Sequence, residues 1–490
     1  MGKTIVFIHG WSVTNLNTYG ELPQRLQLEA AKNNLEIDIQ HIFLSRYISF
    51  HDEVGLDDIA RALDSAIKEQ LLGIQSFVCI THSTGGPVVR HWWNYFYDNS
   101  PTKISHLIML APANFGSALA KLGKAKLSRI KSFFDGVEPG QRVLNWLELG
   151  SKSSWELNKK WILSDGYQIG KQGIYPFVLT GQSIDRKLYD HLNSYTGELG
   201  SDGVVRTAAA NLNSRYIHLK QNTIKTTNNE IKISTTLDVA QYKESPEVPL
   251  RIITGKSHSG SEMGIMNSVR KSRDEKSKET VTSIFKCINI DSVDKYNDLK
   301  KQFRAETSIV QQNELIESAP EFLFFHTHFI HDRFSQVIFR ITDSEGYPIT
   351  DFDILLTAGE DNNPNNFPPG FVVDRQQNSI NKEIITYYFN YDLIVGAPEN
   401  EYRKRTEGIT QIGLKIIPRP QEGFVRFVPC EIKATEDLLE KTIQPNSTTL
   451  IDIVLQRVVS KDVFQINNIT KYPKDFDFSK TKWNDKGIVE

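Results

Sequence analysis

With 490 residues the chain is too long for one ordinary hydrophobic core, so two domains are expected. Hydrophobic residues make up 39% and charged ones 24%, the balance of a soluble globular protein. The 57 basic and 59 acidic residues leave a formal net charge of −2, which argues against a chain built as a nucleic-acid binder.

The first ten residues, MGKTIVFIHG, have neither the long apolar core nor the small-residue cleavage site of a secretory signal. No stretch approaches 18 consecutive apolar residues, so no membrane span is expected. The expectation is a chain made and folded in the cytoplasm, with any export using a route without an N-terminal signal. Cys79, Cys287 and Cys430 are scattered, each inside an apolar stretch, and read as buried thiols rather than a disulfide or metal framework.

Residues 1–290 alternate in the α/β manner. Short runs rich in β-branched residues stand at 4–8, 37–44, 76–80, 106–110, 175–180 and 250–254. Helical spacing of apolar residues marks 20–33, 56–72 and 84–97. This predicts a parallel sheet of about six strands covered by helices. Residues 291–318 are polar with helical periodicity and predict a connector. From 319 to 490, strand-like runs such as FDILLTAG and TTLIDIVLQRVV alternate with Gly, Pro, Asn and Asp turns, which predicts an all-β sandwich.

One junction carries chemistry. VCITHSTGGPVVR places Ser83 between the strand at 76–81 and the helix at 84–97, a strand–turn–helix elbow that presents a hydroxyl. Such an elbow needs small residues two positions either side of the serine. Gly85 fits; Thr81 does not, where glycine is usual. Upstream, VFIHGW ends a strand in a loop whose amides could face an oxyanion near Trp11, with the Thr84 N–H as the second donor. His9 reads as a residue that fixes this loop. A base is needed later in the chain, and RIITGKSHSGSEMGI places His258 after the last parallel strand. The Gly255-Lys256-Ser257 run inside it is not a phosphate loop, because that motif needs glycine where Leu250 stands. For the acid, GELGSDGVVRT offers Asp202 in an Asp-Gly turn, and Asp185 is the competitor.

FIHGWS, THSTGGPVVR, LAPANFGS, GSDGVV and KSHSGSEMG, in the order Ser…Asp…His, together resemble the bacterial lipase and phospholipase branch of the α/β-hydrolase superfamily over residues 1–290. The resemblance implies that Ser83 attacks an ester carbonyl, His258 takes its proton, Asp202 orients the imidazolium, and amides near Trp11 and Thr84 hold the oxyanion. It implies no cofactor and no metal. A large lipase without a signal and with an added β domain also resembles effectors of contact-dependent, type VI-like secretion. That likeness implies secretion-machinery or inhibitor (immunity) protein partners.

An insertion at 114–170 begins NFGSALAKLGKAKLSRIKSFFDG. As a helix it sets Leu119, Ala120, Leu127, Ile130 and Phe134 on one side, and Lys121, Lys124 and Lys131 on another. A basic amphipathic helix suits a lid that docks on an anionic membrane surface, and favours phospholipid as substrate. Trp146, Trp155 and Trp161 would add apolar lining or interfacial anchors. His326, His328 and His331 in FFHTHFIH read as strand surface rather than as metal ligands. Two other readings stand beside the lipase: a soluble esterase or amidase for small acyl substrates, and an inactive scaffold whose β-sandwich binds a partner.

Overall fold

The computed structural model describes residues 2–9, 19–44, 53–98, 100–121, 140–164, 169–185, 198–225, 231–272, 275–320 and 326–459. The first part runs β1 (Lys3–His9), α1 (Leu22–Lys32), β2 (Ile37–Phe43), α2 (Leu56–Gln70), β3 (Phe77–His82), α3 (Gly85–Tyr97) and β4 (Ile104–Leu110). There follow α4 (Gln141–Leu147), α5 (Lys152–Leu163), β5 (Tyr175–Thr180), α6 (Thr207–Ala210), β6 (Arg215–Lys225), β7 (Ile231–Glu244) and β8 (Leu250–Ile252). Two helices close it, α7 (Glu275–Ile288) and α8 (Val293–Asn313).

Six of these strands pair in the order β2-β1-β3-β4-β5-β8, all parallel. The apolar runs of the sequence are these strands. The central strands β1, β3, β4 and β5 are buried on both faces, which is why they read as continuous rather than alternating stretches, whereas the edge strand β2 is only partly buried. Successive side chains point to opposite faces. Ile5, Phe7, Val78, Ile80 and Ile108 pack with residues of α1, α7 and α8, while Val6, Ile8, Cys79, Leu107 and Met109 pack with residues of α2 and α3. The order reverses between β1 and β3, so the carboxyl ends of these two strands flank the crevice where open α/β sheets bind ligands.

The remaining strands are β9 (Ile316–Pro320), β10 (His326–Ile330), β11 (Phe334–Asp343), β12 (Phe352–Ala358), β13 (Val372–Gln377) and β14 (Ile384–Asn390). They continue with β15 (Ile412–Pro418), β16 (Val425–Arg426), β17 (Cys430–Thr435), β18 (Ser447–Leu455) and β19 (Val458–Val459). β9–β10 and β16–β19 form small two-stranded sheets. The others join one nine-stranded sheet, β12-β15-β17-β7-β6-β18-β11-β14-β13, which is mixed because β18 runs parallel to both its neighbours and β17 runs parallel to β7. The sheet curls over a single core, a half-barrel, in which Ile354, Leu414 and Ile416 of one end share a cluster with Ile217 of the central β6 and Val337 and Phe339 of β11. The Tyr387 hydroxyl spans it, donating to the Ile354 carbonyl at 3.4 Å.

The border expected at residue 290 separates segments of chain but not sheets. The β6–β7 hairpin lies within 1–290, yet it belongs to the nine-stranded sheet. Its polar-interrupted sequence, RYIHLKQNTIK and IKISTTLDVAQYKE, hid it from the strand reading. The outer face of the same sheet presses on the hydrolase part: Tyr216, Ile338, Ile384 and Leu450 sit in one core with residues of β1 to β5 and α2 to α5. A polar brace completes this contact. Asp452 accepts from Arg340 at 3.0 and 2.6 Å and from Tyr216 at 2.9 Å, and Lys159 of α5 lies 3.3 Å away. Burial opposes ionisation of Asp452, but Arg340 and Lys159 outweigh it and hold the carboxyl below its ordinary range.

Two sequence readings outside the site are corrected here. Trp146, Trp155 and Trp161 are not interfacial anchors: all three are buried, with Trp155 under the Arg340 guanidinium at 4.7 Å and Trp161 donating to the Leu212 carbonyl at 3.1 Å. His331 is buried rather than strand surface, and a carboxylate does face it, Glu317 at 2.6 Å. His328 stacks on Tyr402, with ring centroids 4.2 Å apart. No group of three or more His, Cys, Asp or Glu placed to hold a metal occurs among the described residues, and no helix among them is long and apolar enough to cross a membrane.

Candidate active site

β3 ends at His82, and the chain turns sharply into α3. Ser83, at this turn, has φ +52°, a left-handed conformation that non-glycine residues rarely adopt. It is held by its own backbone: the Ser83 N–H donates to the Leu110 carbonyl at 3.0 Å, and its carbonyl accepts from Ala113 at 3.2 Å. Strand and helix approach closely enough that a Cβ on Gly85 would lie 3.1 Å from the Thr81 Cβ. Thr81 is therefore accommodated because Gly85 leaves the space. On the β1 side, the Tyr19 hydroxyl donates to the Ile8 carbonyl at 2.9 Å and pins the end of that strand beside the elbow.

His258 reaches the elbow from the loop after β8. Its Nε2 lies 3.0 Å from Ser83 Oγ, and its Nδ1 lies 2.9 Å from Asp202 Oδ2. Asp202 is fully buried, and its other oxygen accepts from the backbone N–H groups of Val204 at 3.0 Å and Val205 at 2.8 Å. A carboxylate fixed in this way presents one oxygen to the imidazole. The ring then keeps its proton on Nδ1 and a lone pair on Nε2, facing the hydroxyl. The loops are tied together as well, with the His258 N–H donating to the Asp202 carbonyl at 2.9 Å.

His82 was not singled out as a site residue. Its Nε2 donates to the His258 carbonyl at 3.1 Å, and its ring lies 4.7 Å from that of His258, centroid to centroid. Burial, with His258 beside it, holds this imidazole well below its ordinary pKa, so it stands as a neutral donor. Asp185 is buried in the loop after β5, but no hydrogen bond joins it to His258 among the described residues. Thr84 is the N-cap of α3, at the helix end whose first backbone N–H groups have no acceptor within the helix. Trp11 lies outside the described residues.

Beside Ser83 and His258 opens a narrow cleft lined by Thr84, Ala113, Ser117, Leu119, Ala120, Leu147, Val204 and Val205, with a free volume of about 30 Å³. Its walls are mostly apolar side chains. Leu119 and Ala120, expected on the apolar side of the insertion, are two of them. The basic segment that follows, with Lys124, Leu127, Ile130, Lys131 and Phe134, lies outside the described residues. Lys121 donates to the Gln377 carbonyl of β13 at 3.0 Å.

No protein-family model and no curated protein matches the chain. Among solved structures, the phospholipase PlaB from Legionella pneumophila is 40% identical over 96% of both chains, with a TM-score of 0.82. The chain belongs to the PlaB family of α/β-hydrolases. A second PlaB structure, in complex with thio-NAD, is 38% identical over the full length of both chains, again with a TM-score of 0.82. The likeness spans the half-barrel as well as the parallel sheet, so both parts are a family property. The chain is accordingly an enzyme, a serine hydrolase.

Proposed function

We propose that this PlaB-family enzyme is a phospholipase that cleaves acyl esters through a covalent acyl-enzyme on Ser83. His258 would take the Ser83 proton as the hydroxyl attacks the ester carbonyl, then return it to the departing alcohol, and repeat both steps with water. Asp202 would hold the imidazole in the tautomer this requires and offset the charge it gains. The Thr84 N–H, with amides of the loop after β1 near Trp11, would receive the oxyanion. The observation that carries the reading is the continuous chain of contacts from Asp202 through His258 to Ser83 at the bottom of an apolar cleft. Phospholipid as substrate is supported by the name of the relative and by the lysines at 124 and 131, which would meet an anionic bilayer as part of a lid.

Hydrolysis of phosphatidylglycerol and phosphatidylcholine liposomes, with products identified by mass, tests this. Free fatty acid and a lysophospholipid are expected from the wild type and neither from Ser83→Ala. Phospholipid left intact by an enzyme that hydrolyses p-nitrophenyl butyrate would contradict the phospholipase reading. The second reading, a small-acyl esterase, is favoured by the narrowness of the cleft beside Ser83 among the described residues. Preference for butyrate over palmitate esters, unchanged by micelles, would establish it.

A further inference from the structure

We propose that Arg206 is a positioning residue for the catalytic acid, and that the half-barrel acts on catalysis by gripping this arginine. The inference rests on the assignment of Asp202 as that acid. Glu198 and Arg206 stand four residues before and after Asp202. The Arg206 guanidinium is almost fully buried and donates to both Glu198 oxygens at 2.8 Å, closing the acid loop upon itself. Its other contacts come from the nine-stranded sheet: Asp374 of β13 pairs with it, Gln336 of β11 accepts from it at 3.3 Å, and the Tyr388 ring of β14 lies 4.1 Å beneath it.

The same tyrosine reaches the loop a second time. Its hydroxyl lies 3.1 Å from both the Leu199 and Gly200 carbonyls, three and two residues before the acid. Gly200 has φ +73°, and a Cβ there would overlap Phe334 and the Tyr388 hydroxyl. The loop is thus moulded on the sheet surface. Burial alone would disfavour the guanidinium charge, but Glu198 and Asp374 keep it ionised.

Asp202 itself touches none of these half-barrel groups. It takes its backbone hydrogen bonds from Val204 and Val205, inside the loop that Arg206 closes. A shift of the guanidinium would therefore move the two N–H groups that aim the carboxylate at His258. An ion pair this well enclosed loses its function when one partner goes, because the remaining charge is left buried and must rearrange.

The test uses the full chain and a short-chain p-nitrophenyl ester. Arg206→Lys, Asp374→Asn and Tyr388→Phe are each made in the wild type and in Asp202→Asn. In the wild-type background, Arg206→Lys and Asp374→Asn are expected to lower kcat by about 10- to 100-fold with KM unchanged. The acidic limb of the kcat/KM profile should move to lower pH, because a displaced carboxylate stabilises the imidazolium less. Tyr388→Phe keeps the ring and loses only the hydroxyl, so it carries the test should Arg206→Lys fail to fold; a loss of about 3- to 10-fold is expected. In the Asp202→Asn background all three should have no further effect, since the group they act through is gone. Wild-type kcat in folded variants, or equal losses in both backgrounds, would overturn the inference. Ser83→Ala run alongside separates the two readings: turnover by that variant would overturn the catalytic assignment itself.

Discussion

Ser83 concentrates the conformational cost of the site in one residue. A left-handed serine is tolerated here because the Leu110 carbonyl and the Ala113 N–H hold its backbone from the next strand and its outgoing loop. Ser83→Ala should keep the fold and abolish acyl-enzyme formation, whereas Asp202→Asn should lower kcat by about 10⁴-fold, since an asparagine selects the wrong imidazole tautomer. Steady-state rates with circular dichroism as a fold control check both. The neighbour at 81 makes a different prediction. The Thr81 hydroxyl is buried without a hydrogen-bond partner among the described residues, so Thr81→Val should leave activity intact and raise stability by up to about 1 kcal/mol, read as a shift in urea midpoint. Destabilisation by Thr81→Val would mean that the hydroxyl makes a contact the fold needs. The elbow and its base were legible from local sequence because each lies within a few residues of a strand end. The choice between Asp202 and Asp185 was not, since it depends on where two distant loops meet.

At the level of elements, the loops after β5 and β8 carry the base by backbone contact. Ser183 N–H donates to the Lys256 carbonyl at 3.1 Å, and a Cβ on Gly181 would lie 1.8 Å from that oxygen. Gly181→Ala must therefore displace the strand-end loop that delivers His258, and a loss of at least about 10-fold in kcat is expected. Normal kcat in that variant would show that the loop yields without moving the imidazole. β4 offers a pH test. His106 is buried on this strand, its Nε2 donating to the Ile290 carbonyl at 2.8 Å, and burial lowers its pKa to about 4 from an ordinary 6.5. Between these values the unfolded chain binds a proton that the folded chain refuses. The contribution is present in full above pH 6.5 and lost as pH falls towards 4, in total about 3 kcal/mol. His106→Gln should flatten this part of the urea-midpoint profile; an unchanged slope would place the acid sensitivity elsewhere.

The central parallel strands were readable because burial on both faces leaves unbroken apolar runs, and the edge strand β2 because its isoleucines recur among polar residues. The β6–β7 hairpin was not, because one strand face meets polar groups of the interface and its pairing partners lie some 200 residues later in the chain, as with Tyr216 against Leu450. That hairpin makes the whole molecule one folding problem. Removing residues 319–490 would strip Ile338, Ile384 and Leu450 from the core they share with β1 to β5, and leave the β6–β7 hairpin with both outer edges unpaired, without β18 and β17. The segment 1–318 alone is expected to aggregate on expression. A monodisperse, fully active 1–318 would contradict both this packing and the role given to Arg206.

The account turns on Ser83 being the atom that is acylated. A fluorophosphonate added to the full-length enzyme and followed by intact mass and peptide mapping reads this directly. One adduct per chain, located on Ser83, with hydrolysis lost in proportion to labelling, is the predicted result. Inhibition with the adduct on another residue, or undiminished hydrolysis after Ser83 is fully labelled, would contradict it.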